Sequence, residues 1–149
     1  MDDIPYHQVP DGTTVQTRLV ERVRTLFLKN LTTFLPFGEL NTLALKYEDY
    51  KLALTDELLQ RVFGNAKLTQ PLRDDLDDSI VSGYISGQDL ADRFPDEETD
   101  GEYWIRSGTA GFSIDAADHF YMPERYTDPF DNETTLEFNQ NYDLRGGPV

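Results

Sequence analysis

The sequence predicts an α+β fold, with N-terminal amphipathic helices followed by a C-terminal antiparallel β region. Three observations carry that expectation. Apolar residues recur at helical spacing through Val15–Phe27, through Leu58–Phe63, and at Leu72, Leu76 and Ile80. From Glu102 onward the pattern changes to short aromatic and β-branched runs, punctuated by Ser107-Gly108 and Asp128-Pro129. Helical pattern first and strand pattern second is the order of an α+β chain. The division this implies is an arm over 1–14, a helix-rich acidic region over 15–100 and a β-rich region over 101–149.

The 149 residues suffice for one domain with a real core. Aromatic residues make up 12% of the chain, which argues against disorder. The net charge of −15 repels nucleic acid and anionic membranes, and would favour a basic partner or simply keep the chain soluble. The charge is concentrated: Asp74–Asp100 holds ten acids and one base, Arg93. There is no cysteine, so disulfides, thiolate catalysis and cysteine-ligated zinc are excluded. Met1-Asp-Asp-Ile-Pro-Tyr6 does not read as a signal peptide, and no apolar run is long enough to cross a membrane.

Taken in order, residues 1–12 read as an extended arm or loop, with Pro5, Pro10 and Gly12. Thr13-x-x-Gln16 has the form of a capping box, and the spacing predicts a helix from there to about Leu28. Val15, Leu19, Val20, Val23, Leu26 and Phe27 would form its buried face. Arg18, Arg22 and Arg24 would lie opposite, as a phosphate-binding face or, as the overall acidity favours, a solvated one. Asn30 would stop the helix, and Phe34–Gly38 would be a loop with buried aromatics. Thr55 is expected to cap a second helix whose first turn holds Asp56 and Glu57, and Gly64 to end it. Pro71 sits where a third segment begins. A short strand is expected within Ser82–Gly87, which is punctuated at both ends, and a helical turn at Asp89–Phe94, halted by Pro95. Strands follow at Glu102–Arg106, near Phe112 and at His119–Met122.

The candidate sites each have a bland reading beside the sharp one. Asp74, Asp75, Asp77 and Asp78 could take Ca²⁺ through carboxylate oxygens, but counting from Asp75 the sixth position is Ile80, where an EF-hand needs Gly. A solvated helix face is favoured there. Asp96, Glu97 and Glu98 extend this acidic surface through an exposed loop. Asp115, Asp118 and His119 are close enough in sequence for a metal or acid–base role. A loop cap by Asp115 and a His119 satisfied at a strand start is the plainer reading. No nucleophile elbow, phosphate loop, dinucleotide fingerprint or His-Glu-x-x-His is present. The aromatic group from Tyr103 to Phe130 suits the core of a small sheet better than a carbohydrate or peptide platform. The residues therefore assign no catalytic group, cofactor or metal.

The most organised stretch is Tyr126–Phe138. Asp128-Pro129 starts a turn, because Pro fixes φ and Asp bonds back to its own backbone. Asp131-Asn132 suits positive φ, and Thr134, Thr135, Leu136 and Phe138 make a strand. With Tyr142-Asp143-Leu144 after it, this stretch resembles one unit of the tyrosine-aspartate (YD, or RHS) repeat. Trp104-Ile105, Phe112-Ser113-x-Asp115 and His119-Phe120-Tyr121-Met122-Pro123-x-Arg125-Tyr126-x-Asp128-Pro129-Phe130 resemble large RHS-type insecticidal toxins. These are similar to the B component of the toxin complexes and its SpvB-type relatives. Arg18-Leu19-Val20-Glu21, Leu43-Ala44-Leu45 and Tyr50–Thr55 resemble their upstream region. Two features depart: Asp131 stands where the repeat has Gly, and after Leu144 the sequence Arg-Gly-Gly-Pro-Val leaves the pattern.

The resemblance implies a β-shell scaffold that encloses and delivers a toxic cargo. One unit encloses nothing by itself, because a repeat buries its apolar face against neighbours. It implies a piece or short relative of such a protein, non-enzymatic by itself and held in the bacterial cytoplasm before release. Its partners would be the rest of the parent polypeptide or toxin-complex subunits. The architectural residues would be Trp104, Tyr126, Asp128, Pro129, Phe130, Asn132, Tyr142 and Asp143. The competing expectation is a stand-alone acidic binding or immunity-type protein docking on a basic partner through Asp74–Asp100. A hydrolase using His119 with Asp115 or Asp118 is a third.

Overall fold

A computed structural model describes residues 1–95, 98–139 and 144–148. Among the described residues the fold is mixed, with four short α-helices and mostly antiparallel sheets. This agrees with the expected α+β class.

The N-terminal helix is not there. Strands β1 (Asp2–Ile4) and β2 (Gln16–Arg18) pair in parallel, and β3 (Val23–Phe27) follows. Leu26 and Leu28 are both buried, a spacing of two in place of three or four. Val15, Thr17, Val20, Val23 and Thr25 are β-branched and stiff at χ1, which suits an extended chain better than a helix. The capping box fails with the helix. Asp11 closes that turn instead, its carboxylate accepting the backbone N–H groups of Thr13 (2.8 Å) and Thr14 (3.0 Å). Asn30 likewise makes a turn, accepting from the N–H groups of Thr32 and Thr33.

A four-stranded sheet has the order β3-β4-β6-β5, from β4 (Lys46–Thr55), β5 (Tyr84–Ser86) and β6 (Glu102–Arg106). A second four-stranded sheet has the order β10-β9-β8-β7, from β7 (Thr109–Gly111), β8 (Arg125–Thr127), β9 (Glu133–Asn139) and β10 (Leu144–Pro148). The chain forms two compact units of discontinuous sequence: Met1–Arg24 with Lys51–Ile105, and Thr25–Tyr50 with Arg106–Val149.

In the first unit, α1 (Asp56–Phe63) is capped by Thr55, whose hydroxyl accepts the Leu58 N–H at 3.2 Å. Gly64 ends it at φ 69°. Leu59, Leu68 and Tyr103 form a cluster against which Leu72 and Leu76 of α2 (Gln70–Asp77) pack. The apolar stripe expected to reach Ile80 breaks at Asp78. That carboxylate caps a new turn, α3 (Ser79–Ser82), and Ile80 is exposed. α4 (Gly87–Leu90) leads to buried Phe94, which stacks on Trp104 at 6.5 Å. Trp104 is fully buried, and the Arg22 guanidinium lies over its ring at 4.9 Å while pairing with Glu102. A cation over an indole face adds electrostatic attraction to the apolar packing.

In the second unit, Leu26, Leu28, Leu35, Tyr50 and Ala116 are buried. Phe34, expected inside, is exposed and stacks on Tyr47 at 5.1 Å, and Leu35 takes the core position. The strand expected at His119–Met122 is instead a 3-10 turn over Ala116–His119, continued by Phe120 and Tyr121 at φ 55° and 53°. Two successive left-handed residues cannot lie in a strand.

Candidate functional site

The hairpin of β8 and β9 positions the residues that the sequence singles out. Its strands pair Arg125 with Thr135, Tyr126 with Thr134 and Thr127 with Glu133. At the turn, the Asp128 N–H donates to the Asn132 carbonyl (2.9 Å) and the Asp131 N–H to the Asp128 carbonyl (3.1 Å). The Asp128 carboxylate accepts from the backbone N–H groups of Phe130 (2.8 Å) and Asn132 (2.9 Å) and from the Asn132 side-chain amide (2.9 Å). These bonds, the Asn132 side chain foremost, hold the Asp128 carboxyl below the usual carboxylate range. Pro129 follows the capping residue, where it restricts φ without removing a needed donor. Asp131 has φ 62°. Asp128, Pro129, Phe130 and Asn132 thus share one turn, with Tyr126 two residues upstream. Trp104 belongs to the core of the first unit, and Tyr142 and Asp143 lie outside the described residues.

Strand alternation sorts the hairpin into two faces. Arg125, Thr127, Glu133, Thr135 and Glu137 share one, where Arg125 approaches Glu133 at 3.8 Å. The Leu136 N–H donates to the Glu124 carbonyl (2.7 Å), which extends the register by one pair. Glu124, Tyr126, Thr134, Leu136 and Phe138 therefore share the other face. They line two adjoining recesses of about 260 and 430 Å³, with Met122 common to both.

One end of this groove holds Ser113, Asp115 and His119. The Ser113 hydroxyl donates to the Asp115 carboxylate, which lies 3.5 Å from His119 Nε2 on its other oxygen. The Ser113 bond is the leading cause that lowers the Asp115 pKa. The Asp115 side chain does not cap the 3-10 turn, and His119 lies at the end of that turn, so the expected loop cap and strand-start histidine are both replaced. For nucleophilic catalysis the imidazole must take the serine proton. Here the serine donates to one oxygen of the carboxylate, and the imidazole lies 3.5 Å from the other.

The acidic residues distribute differently. Asp74, Asp75, Asp77 and Asp78 are exposed along α2 and its end. Asp74 accepts from Gln70 (2.8 Å), and Asp78 is spent on the α3 cap. Glu98 joins Asp56, Glu57, Asp100 and Glu102 around a recess of about 400 Å³, where Arg73 neutralises Asp56 at 2.6 Å. Asp96 and Glu97 lie outside the described residues. Among the described residues no group of three or more His, Asp and Glu is placed to hold a metal ion, and no helix is long and apolar enough to cross a membrane.

Sequence reasoning missed Glu48. It is fully buried, accepts from Arg106 Nε at 2.7 Å, and is bonded by the Tyr50 hydroxyl. The available signal was parity: Glu48, Tyr50 and Leu52 alternate along β4 and all three are buried. Comparison of the chain with protein-family models gives no match, and comparison with curated proteins gives none.

Proposed function

We propose that this chain is a non-enzymatic structural segment of an RHS/YD-repeat toxin, a scaffold that contributes to the encapsulation and delivery of a cargo carried elsewhere on the parent polypeptide. The observation that carries the reading is apolar surface. In the second unit Ile114 is 97% and Phe120 82% exposed, and Tyr126 and Phe130 are about half exposed. Large apolar side chains left exposed offer surface that further polypeptide can cover. A repeat unit leaves such a face for its neighbours.

The turn supports the same reading. The repeat has glycine where Asp131 stands, and Asp131 has the left-handed conformation that glycine adopts at least cost. The stand-alone acidic binder keeps one observation in its favour, the exposure of Asp74, Asp75, Asp77 and Asp78 on one short element.

Size-exclusion chromatography with light scattering over a range of concentrations tests the reading. Concentration-dependent association, with binding of a hydrophobic dye, is the expected result. A monomer at all concentrations, without dye binding and with one cooperative melt, overturns it and leaves the acidic-binder reading.

A further inference from the structure

We draw no further inference here: the strongest candidate, the apolar groove of Met122, Tyr126, Leu136 and Phe138 on the β8–β9 hairpin, carries nothing, because the Asp115 at its end is already held by Ser113 and His119 and nothing in the structure shows what covers this face.

Discussion

Replacing Gly87 by alanine sets two physical effects against each other. Gly87 is the first residue of α4, and in a helix alanine is favoured over glycine by about 1 kcal/mol. By propensity alone Gly87→Ala should stabilise the chain. The packing says otherwise. A Cβ on Gly87 would stand 1.6 Å from the Thr99 carbonyl oxygen and 2.5 Å from its carbon. Both are backbone atoms, so Thr99 must retreat by more than an ångström. Thr99 is itself buried; its hydroxyl donates to the Gly87 carbonyl at 2.7 Å, and its carbonyl accepts the Glu102 N–H at 3.1 Å. Moving it breaks or lengthens both bonds, at about 1 kcal/mol each, and leaves a buried hydroxyl unpaired at about 1–3 kcal/mol more. After the propensity gain, the net expectation is a loss of about 2–4 kcal/mol. The assay is urea unfolding followed by the fluorescence of Trp104, the one tryptophan, which is fully buried. It pairs with Ile85, two residues before the substitution. A midpoint unchanged or raised would refute the reasoning, because the Thr99 carbonyl could not then stand where the added methyl would go.

Two further predictions concern turns. Asp131→Gly should raise stability by about 0.5–1 kcal/mol, less the unfolded-state entropy of glycine, since Asp131 holds φ 62°; a lowered urea midpoint would mean that the Asp131 side chain contributes more than its backbone strain costs. Asp11 has its pKa lowered from 3.8 to about 2, first by the Thr14 N–H and then by the Thr13 N–H. A folded-state pKa below the unfolded one gives stability that is complete above about 4 and is lost as pH falls through about 2. The amide resonances of Thr13 and Thr14 should therefore titrate near pH 2, and a midpoint near 3.8 would contradict the turn.

The legible parts of the fold were those written in local chemistry. Thr55 with Asp56 and Glu57, closed by Gly64, specifies α1 within ten residues, because cap, dipole and left-handed stop act only on neighbours. The Asp128–Asn132 turn was legible for the same reason, as four of its five residues have strong turn chemistry. Val15–Leu28 was misread because helical spacing of apolar residues does not itself bury them: Val15, Leu19, Val20 and Val23 are exposed, and Leu26 and Leu28, two apart, are buried, a choice settled by what the segment packs against. The 3-10 turn at Ala116–His119 was hidden too: nothing in Phe120-Tyr121 marks positive φ, which large side chains seldom adopt.

By itself the sequence determined the composition-level facts and the local ones: the acidic field, the absence of thiol chemistry, the α1 caps, the Asp128 turn and its left-handed Asp131. Each of the local ones depends on residues within about ten positions of one another, where sequence distance and spatial distance nearly coincide. Tertiary structure alone decided the rest. It made Gln16–Arg18 and Val23–Phe27 strands, brought Arg22 over Trp104, buried Glu48 beside Arg106, and turned one face of the β8–β9 hairpin into a groove with two carboxylates at its end. Those contacts join residues up to 82 positions apart, and the energy that selects them comes from surfaces that meet only after the chain has folded.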